Sequence, residues 1–334
     1  MTSACILGCE GLVLSRKERD FFRDVKPWGF ILFKRNIENP EQVRALTEAL
    51  RETIGRDDAP ILIDQEGGRV QRMGPPHWPA YPPARTMGDL ATNDPLVRRE
   101  IVRLGARLMA HDLAAVGINV DCVPVLDVPA ADGHEIIGDR AYAADVEGVA
   151  TLGRAAAEGL IAGGVLPVIK HIPGHGRARG DSHLELPVVG ATREELEAVD
   201  FAPFKVLSDM PMAMTAHVVY SAIDPKRPAT TSRKAIRLIR DEIGFDGLLM
   251  SDDLSMKALG GDFDDRARQA LKAGCDVVLH CNGMMSEVKA VMGGTGSLSG
   301  KAARRAQAAL ARLAKSPEPF DLEAGRARFA AAFA

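Results

Sequence analysis

Eight short apolar runs, each followed by a longer amphipathic stretch, limit the folds open to this chain more than any other feature. The runs are Ala4 to Gly8, Gly29 to Phe33, Pro60 to Ile63, Val120 to Val125, Pro167 to Ile169, Met212 to Ala216, Leu248 to Met250 and Asp276 to Cys281. Between them lie Arg16 to Val25, Pro40 to Ile54, Pro95 to Val116, Val146 to Gly163, Arg193 to Ser208, Ser232 to Ile243, Asp262 to Ala273 and Lys301 to Lys315, all with helical spacing. Nearly continuous apolar strands alternating with helices predict parallel β-structure covered by helices on its outer face. Eight repeats predict an α/β fold with a single closed (β/α)8 barrel of the TIM type. A doubly wound open sheet would bring a glycine-rich phosphate turn after the first strand, and Gly8-Cys9-Glu10-Gly11 does not supply one. Pro40 suits a first helical turn, Thr192 and Thr231 are plausible caps, and Gly117, Gly244 and Gly274 fall where helices stop. No long linker divides residues 1–334, which therefore read as one catalytic domain. The loosest segment, Gly293 to Gly300, leads into a C-terminal helical tail at about 300–334, of which the part after Pro317 is expected to pack outside the barrel.

With 46% apolar residues the chain can bury a large core, and a net charge of -3 with interspersed signs offers no polycationic face to nucleic acid or an anionic membrane. A small molecule is the expected partner, and a monomer the expected state. Three of the five cysteines sit inside apolar strand-like runs, which favours a reducing cytoplasm. Ile6-Leu7-Gly8-Cys9 loosely resembles a lipoprotein cleavage site, but no Lys or Arg precedes it and the apolar stretch is far shorter than a signal peptide's.

A barrel places its active site at the C-terminal ends of its strands. Those ends carry Asp64-Gln65-Glu66, Asp127, Lys170-His171, His217, Asp252-Asp253 and Asn282. Acids with a few bases, and no Ser or Cys nucleophile pattern, suggest chemistry on a neutral, hydroxyl-rich substrate. Nothing in the pattern calls for a cofactor. The spacing of His171, His175 and His183 fits no well-specified zinc motif, and no metal is expected.

Five motifs in order, Asp64-Gln65-Glu66-Gly67-Gly68-Arg69-Val70, Gly138-Asp139-Arg140, Lys170-His171-Ile172-Pro173-Gly174-His175-Gly176, Asp181-Ser182-His183 and Ser251-Asp252-Asp253-Leu254-Ser255-Met256, resemble the bacterial β-N-acetylglucosaminidases of glycoside hydrolase family 3. The resemblance implies a cytoplasmic, retaining exo-glycosidase that removes terminal N-acetylglucosamine from 1,6-anhydro-muropeptides during cell-wall recycling. It implies Asp252 as the nucleophile and His183, paired with Asp181, as general acid/base. It also implies Asp64, Arg72, Arg140, Lys170 and His171 as the groups that hold the sugar. Chemistry agrees with these roles. A carboxylate at a strand end can form and release a glycosyl ester, and a carboxylate beside an imidazole fixes its tautomer and helps it keep a proton for the leaving oxygen. Asp253 is expected to face away and bond neighbouring backbone, and Met256 to pack in the core.

Other readings stay open from the residues themselves. Lys170 at a strand end suits a Schiff-base lyase, and within the family a phosphorylase or a β-glucosidase is the nearest competitor. Glu66 and Arg69 can form an ion pair beneath the site. The family commonly continues Asp-Thr after the position of Gly176, where this chain has Arg177-Ala178-Arg179, two added cations beside His183. Pro75-Pro76-His77-Trp78-Pro79 reads as a rigid surface loop on which a distal sugar can stack.

Overall fold

In the computed structural model, which describes residues 1–92, 94–130, 133–180, 182, 185–313 and 317–334, each apolar run contributes one barrel strand. These are β1 (Ser3–Gly8), β2 (Pro27–Leu32), β3 (Ile61–Ile63), β4 (Val120–Asp121), β5 (Leu166–Ile172), β6 (Met212–Thr215), β7 (Leu248–Asp253) and β8 (Val277–His280). All pair in parallel with their neighbours in sequence, and β8 closes on β1. Side chains alternate across the wall with a period of two. Ile6, Leu62, Val168, Met214, Met250 and Leu279 fill the barrel, while Leu7, Phe30, Ile169, Leu249 and Val278 pack outward against the helices. The apolar runs look continuous because both faces are buried.

The helix ends follow local chemistry. Ser15 and Glu18 form a capping box at Arg16–Val25, and Asn39 caps Pro40–Ile54 with Pro40 in the first turn. Both helices keep their expected bounds. The stretch from Arg193 to Ser208 is instead broken into Arg193–Glu195, a wider π-type turn at Leu196–Asp200, and Ala202–Val206. Pro203 has no N–H to donate and its ring crowds the preceding turn, so a regular helix cannot pass through it. Ser232, not Thr231, caps Arg233–Asp241. Strand β4 is shorter than its apolar run, because Pro124 cannot donate to the ladder. Pairing nevertheless continues irregularly through Lys170 N to the Pro124 carbonyl at 3.1 Å and Leu126 N to the Lys170 carbonyl at 2.7 Å.

Part of the loose segment at Gly293 is occupied by helix Met285–Gly294, and Ser297 bridges to Ser3 of β1. Helices Gly300–Leu310 and Leu322–Ala331 follow. The last lies outside the barrel on helix Pro95–Ala114, where Phe329 is buried and Arg326 pairs with Asp112 at 3.0 Å. Trp78 corrects its expectation: it is buried in the main apolar core, so no face remains for a sugar to stack on. No helix among the described residues is long and apolar enough to cross a membrane.

Candidate active site

Strand parity delivers the first site residues. Val168 points into the barrel, and Lys170, two residues on, continues the same face at the C-terminal rim. Met250 and Asp252 stand in the same relation on β7. Both strands run further than their apolar cores, so these residues sit on strand, not on loop.

Beside them, β3 passes into a hairpin of Gln65–Gly67 and Val70–Gln71. The Gln65 side chain accepts from the backbone N–H groups of Arg72 and Met73 at 3.1 and 3.0 Å, which fixes where Arg72 leaves the chain. Gly67, at φ 92°, packs so tightly that a Cβ there would lie 2.3 Å from the Pro82 carbonyl oxygen.

These elements build a ladder of alternating charge. Arg72 Nη2 lies 3.0 Å from Asp64 Oδ2, Lys170 Nζ lies 3.0 Å from Asp64 Oδ1 and 2.7 Å from Glu66 Oε1, and Arg140 forks onto both Glu66 oxygens at 2.8 Å. Phe33 lies under Arg72, whose guanidinium carbon is 4.8 Å from the ring centre. Lys170 and Glu66 are almost fully buried, so the pairing decides their ionisation. Burial opposes charge on Glu66, but Arg140 and then Lys170 outweigh it and hold its carboxyl down at about 2. Burial likewise opposes charge on Lys170, and Asp64 with Glu66 reverses that and raises it above the usual lysine value. Asp64 is held below the carboxylate range by Lys170 and Arg72 against the same burial. The expected Glu66–Arg69 pair does not form. The turn through Gly67 and Gly68 carries Arg69 away to Asp139, 3.0 Å distant, and to the carbonyls of Glu135 and Ile136.

A second cluster orients the histidines. Asp127, fully buried, accepts from the backbone N–H of His171 at 3.2 Å and of His175 at 2.6 Å, and its Oδ2 lies 2.7 Å from His171 Nδ1. That contact assigns the proton to Nδ1 and leaves the other ring nitrogen for the cavity. Burial opposes ionisation of Asp127, but His171 outweighs it and its carboxyl falls to about 2. His175 is pushed down to about 4 by burial and by His171, and its Nε2 meets Ser182 Oγ at 3.2 Å. Gly176 lets this loop close on the next one, since a Cβ there would lie 1.9 Å from the Val128 carbonyl oxygen.

Asp64, Arg72, Arg140, Lys170, His171 and Asp252 all line one cavity of about 360 Å³ at the strand C-terminal ends. Its other walls include Phe33, Arg35, Ile137, Ser182, Cys281 and Asn282. Asp181 and His183 lie outside the described residues. Asp252 Oδ1 accepts from the Asp253 backbone N–H at 2.7 Å. The Asp253 side chain accepts from Ser255 N and Cys281 N, both at 3.0 Å, the backbone-bonding role expected of it, but it lines the cavity and does not face wholly away. Met256 lines the cavity as well as packing beneath it. Arg177 does not add an unpaired cation beside this wall, because its Nε lies 2.6 Å from Asp200 Oδ2. The sequence does not announce Asp127 and Glu66 as the structural partners of His171 and Arg140. Their strand-end positions are visible in the sequence, but the pairings span 44 and 74 residues. Among the described residues, no group of three His, Cys, Asp or Glu side chains is arranged to hold a metal ion.

One prediction follows from the ionisation. Glu66 and Asp127 fall to about 2 in the fold from ordinary values of 4.5 and 3.8, so the stability they contribute is complete above the ordinary range and is lost as pH falls towards 2. Asp200 runs the other way. Burial raises it to about 6 although Arg177 pairs with it, so its contribution is lost as pH rises through 6. The melting temperature should fall steeply below about pH 4, and Asp200→Asn should remove only the opposite slope between pH 4 and 6. A melting curve of the parent that stays level down to pH 2 would contradict the ladder.

Parallel barrels of this kind place their active sites at the C-terminal rim, and here that rim holds Asp252 in one cavity with the paired charges of Asp64, Glu66, Arg72, Arg140 and Lys170. The chain belongs to glycosyl hydrolase family 3, whose N terminal domain sequence model matches residues 12–315. It is thus a glycoside hydrolase. A protein of Alkalilimnicola ehrlichii named beta-hexosaminidase is 42% identical over 282 residues, 83% of this chain and 80% of that protein. Native NagZ from Neisseria gonorrhoeae superposes with a TM-score of 0.84 at 34% identity, covering 99% of this chain and 96% of that one. The same protein in complex with N-trifluoroacetyl-D-glucosamine also superposes at 0.84, with 33% identity and the same coverage.

Proposed function

We propose that this protein is a retaining exo-β-N-acetylglucosaminidase, a β-N-acetylhexosaminidase that removes terminal β-linked N-acetylglucosamine from 1,6-anhydro-muropeptides in peptidoglycan recycling. It acts as one catalytic domain, a monomer in the cytoplasm, without a cofactor. The observation that carries the reading is the position of Asp252 in one cavity with Lys170, Asp64, Arg72 and Arg140. The similarity to proteins named beta-hexosaminidase and to one that holds a glucosamine derivative supports the choice of sugar.

In the first step an Asp252 oxygen attacks the anomeric carbon and the bond to the aglycone oxygen breaks, with His183 giving that oxygen its proton. In the second, His183 takes a proton from water, whose oxygen attacks the same carbon and frees Asp252. The charge ladder and His171 hold the sugar hydroxyls, and their bonds accelerate the reaction to the extent that they tighten as the ring flattens. His183 with Asp181 is favoured over Glu66 or Asp127, because Glu66 is held in an ion pair with Arg140, Asp127 is held by hydrogen bonds from His171 and His175, and both carboxyls are ionised at neutral pH.

The test is turnover of nitrophenyl β-N-acetylglucosaminide with and without inorganic phosphate, followed by an anhydro-muropeptide. Free N-acetylglucosamine in every case is the expected product. Sugar 1-phosphate in the phosphate arm would identify a phosphorylase instead, and a preference for the glucoside would identify a β-glucosidase. Reductive trapping of a carbonyl substrate on Lys170 is not expected, because its amine is paired with two carboxylates and held protonated.

A further inference from the structure

Beside Asp253, the residue that follows Asp252, lies a group that the reaction as described does not use. His280 ends β8 on its outward face and is fully buried, and neither ring nitrogen makes a hydrogen bond. Burying an imidazole in that condition is unfavourable, so its surroundings are the question.

They consist of two carboxylates, one on each side. Nδ1 lies 4.0 Å from Asp253 Oδ1 on β7, and Nε2 lies 3.3 Å from Glu287 Oε2 on helix Met285–Gly294. The Phe263 ring of helix Phe263–Ala273 stands edge-on at 5.2 Å. Two guanidinium groups are near, but both are spent on main-chain carbonyls. Arg35 bonds those of Cys9 and Cys281, and Arg266 those of Gly261, Leu254 and Met256. Among the described residues, His280 is the one basic side chain within ion-pair distance of Asp253 or Glu287. A neutral imidazole can donate to only one of the two acids, whereas an imidazolium can donate to both.

The two acids are tied to the cavity wall. Asp253 gives its backbone N–H to the Asp252 carboxylate, its carbonyl accepts from His217 Nε2 at 3.0 Å, and its side chain holds Cys281 N. Glu287 accepts from Asn282 Nδ2 at 3.0 Å. Cys281 and Asn282 both line the cavity.

We propose that His280 is a positioning residue of the reaction, bridging Asp253 and Glu287 and so fixing the main chain that hydrogen-bonds the Asp252 carboxylate. The inference rests on the assignment of Asp252 as nucleophile. Burial, with Arg35 and Arg266, outweighs the upward pull of Asp253 and Glu287 and holds the imidazole below its usual value, so the doubly donating form accumulates only as pH falls to the acid side. The bridge therefore tightens, and adds positive charge near Asp252, on the acid side of the activity profile.

The experiment compares the pH dependence of kcat/KM for nitrophenyl β-N-acetylglucosaminide in the parent, His280→Val, His280→Gln and Glu287→Gln. For His280→Val the acid limb should move up by about half a pH unit or more, and kcat/KM should fall about tenfold with little change in KM, as a misplaced nucleophile predicts. His280→Gln, which can donate to one acid, should recover part of the rate but not the limb. Glu287→Gln weakens the bridge from its more exposed end. It should shift the limb in the same direction by a smaller amount, a readout that survives if His280→Val does not fold. Limbs that superimpose on the parent's in every folded variant would overturn the proposal, even if melting temperatures fall. Peptide mapping after labelling the parent with a 5-fluoro N-acetylglucosaminyl inactivator separates the two failures. A label on another carboxylate removes the nucleophile assignment, whereas a label on Asp252 with an unmoved limb removes the role of His280 alone.

Discussion

Asp252→Asn and Asp252→Ala should lower turnover of nitrophenyl β-N-acetylglucosaminide by roughly three orders of magnitude or more, because the proposed mechanism forms the glycosyl ester on this carboxylate. The fold should survive. Asp252 lies at the cavity wall, outside the ladder that binds Asp64, Lys170 and Glu66 together, so the melting temperature should stay near that of the parent. Small nucleophiles such as azide or formate, offered to Asp252→Ala, should restore some turnover with inverted configuration at the anomeric carbon. A folded Asp252→Ala protein that keeps near-parental turnover would end the assignment.

The second large effect concerns proton transfer. His183→Ala should cost about 10²- to 10⁴-fold on a disaccharide or muropeptide, whose leaving alcohol must be protonated. On an aryl glycoside with a good leaving group, the loss in kcat/KM should be far smaller. Asp181→Ala should give a milder form of the same divergence, because the imidazole remains. Equal losses on both substrates, with an unchanged pH profile, would make His183 a binding residue and return the proton to an unidentified donor.

Much of this was legible in the sequence for reasons that can be named. All eight barrel strands were recoverable because parallel strands buried on both faces are uninterrupted apolar words, and Arg16–Val25 and Pro40–Ile54 because caps and a first-turn proline mark their ends. Asp64, Lys170, His171 and Asp252 were recoverable because they stand at strand ends. The hairpin after β3 was not, since Gln65–Gly67 and Val70–Gln71 are too short and polar to show alternation. Proximity in sequence pairs Glu66 with Arg69. The partners of Glu66 are Lys170 and Arg140, brought to it by closure of the barrel, and no local pattern announces them. The same holds for His280, whose acids come from another strand and from a helix that the sequence did not reveal. Trp78 shows the reverse error: a proline-rich context suggested exposure, yet the indole was core.

The ladder from Arg72 through Asp64, Lys170 and Glu66 to Arg140 also limits how this site can diverge. Replacing one rung leaves a neighbour charged and buried without its counterpart, a loss of about 3–5 kcal/mol in comparable cases, which is a large part of the stability of a typical domain. Changes of sugar preference are therefore closed to single substitutions on this wall and open to exchanges that alter adjacent rungs together, acid and base in one step. Descendants with a new specificity should carry paired replacements here and single ones at uncharged lining positions such as Ile137 and Met256, which belong to no ion pair. A saturation library selected for folded protein would show that asymmetry directly, with the ladder positions surviving as correlated pairs and the uncharged lining positions drifting one at a time.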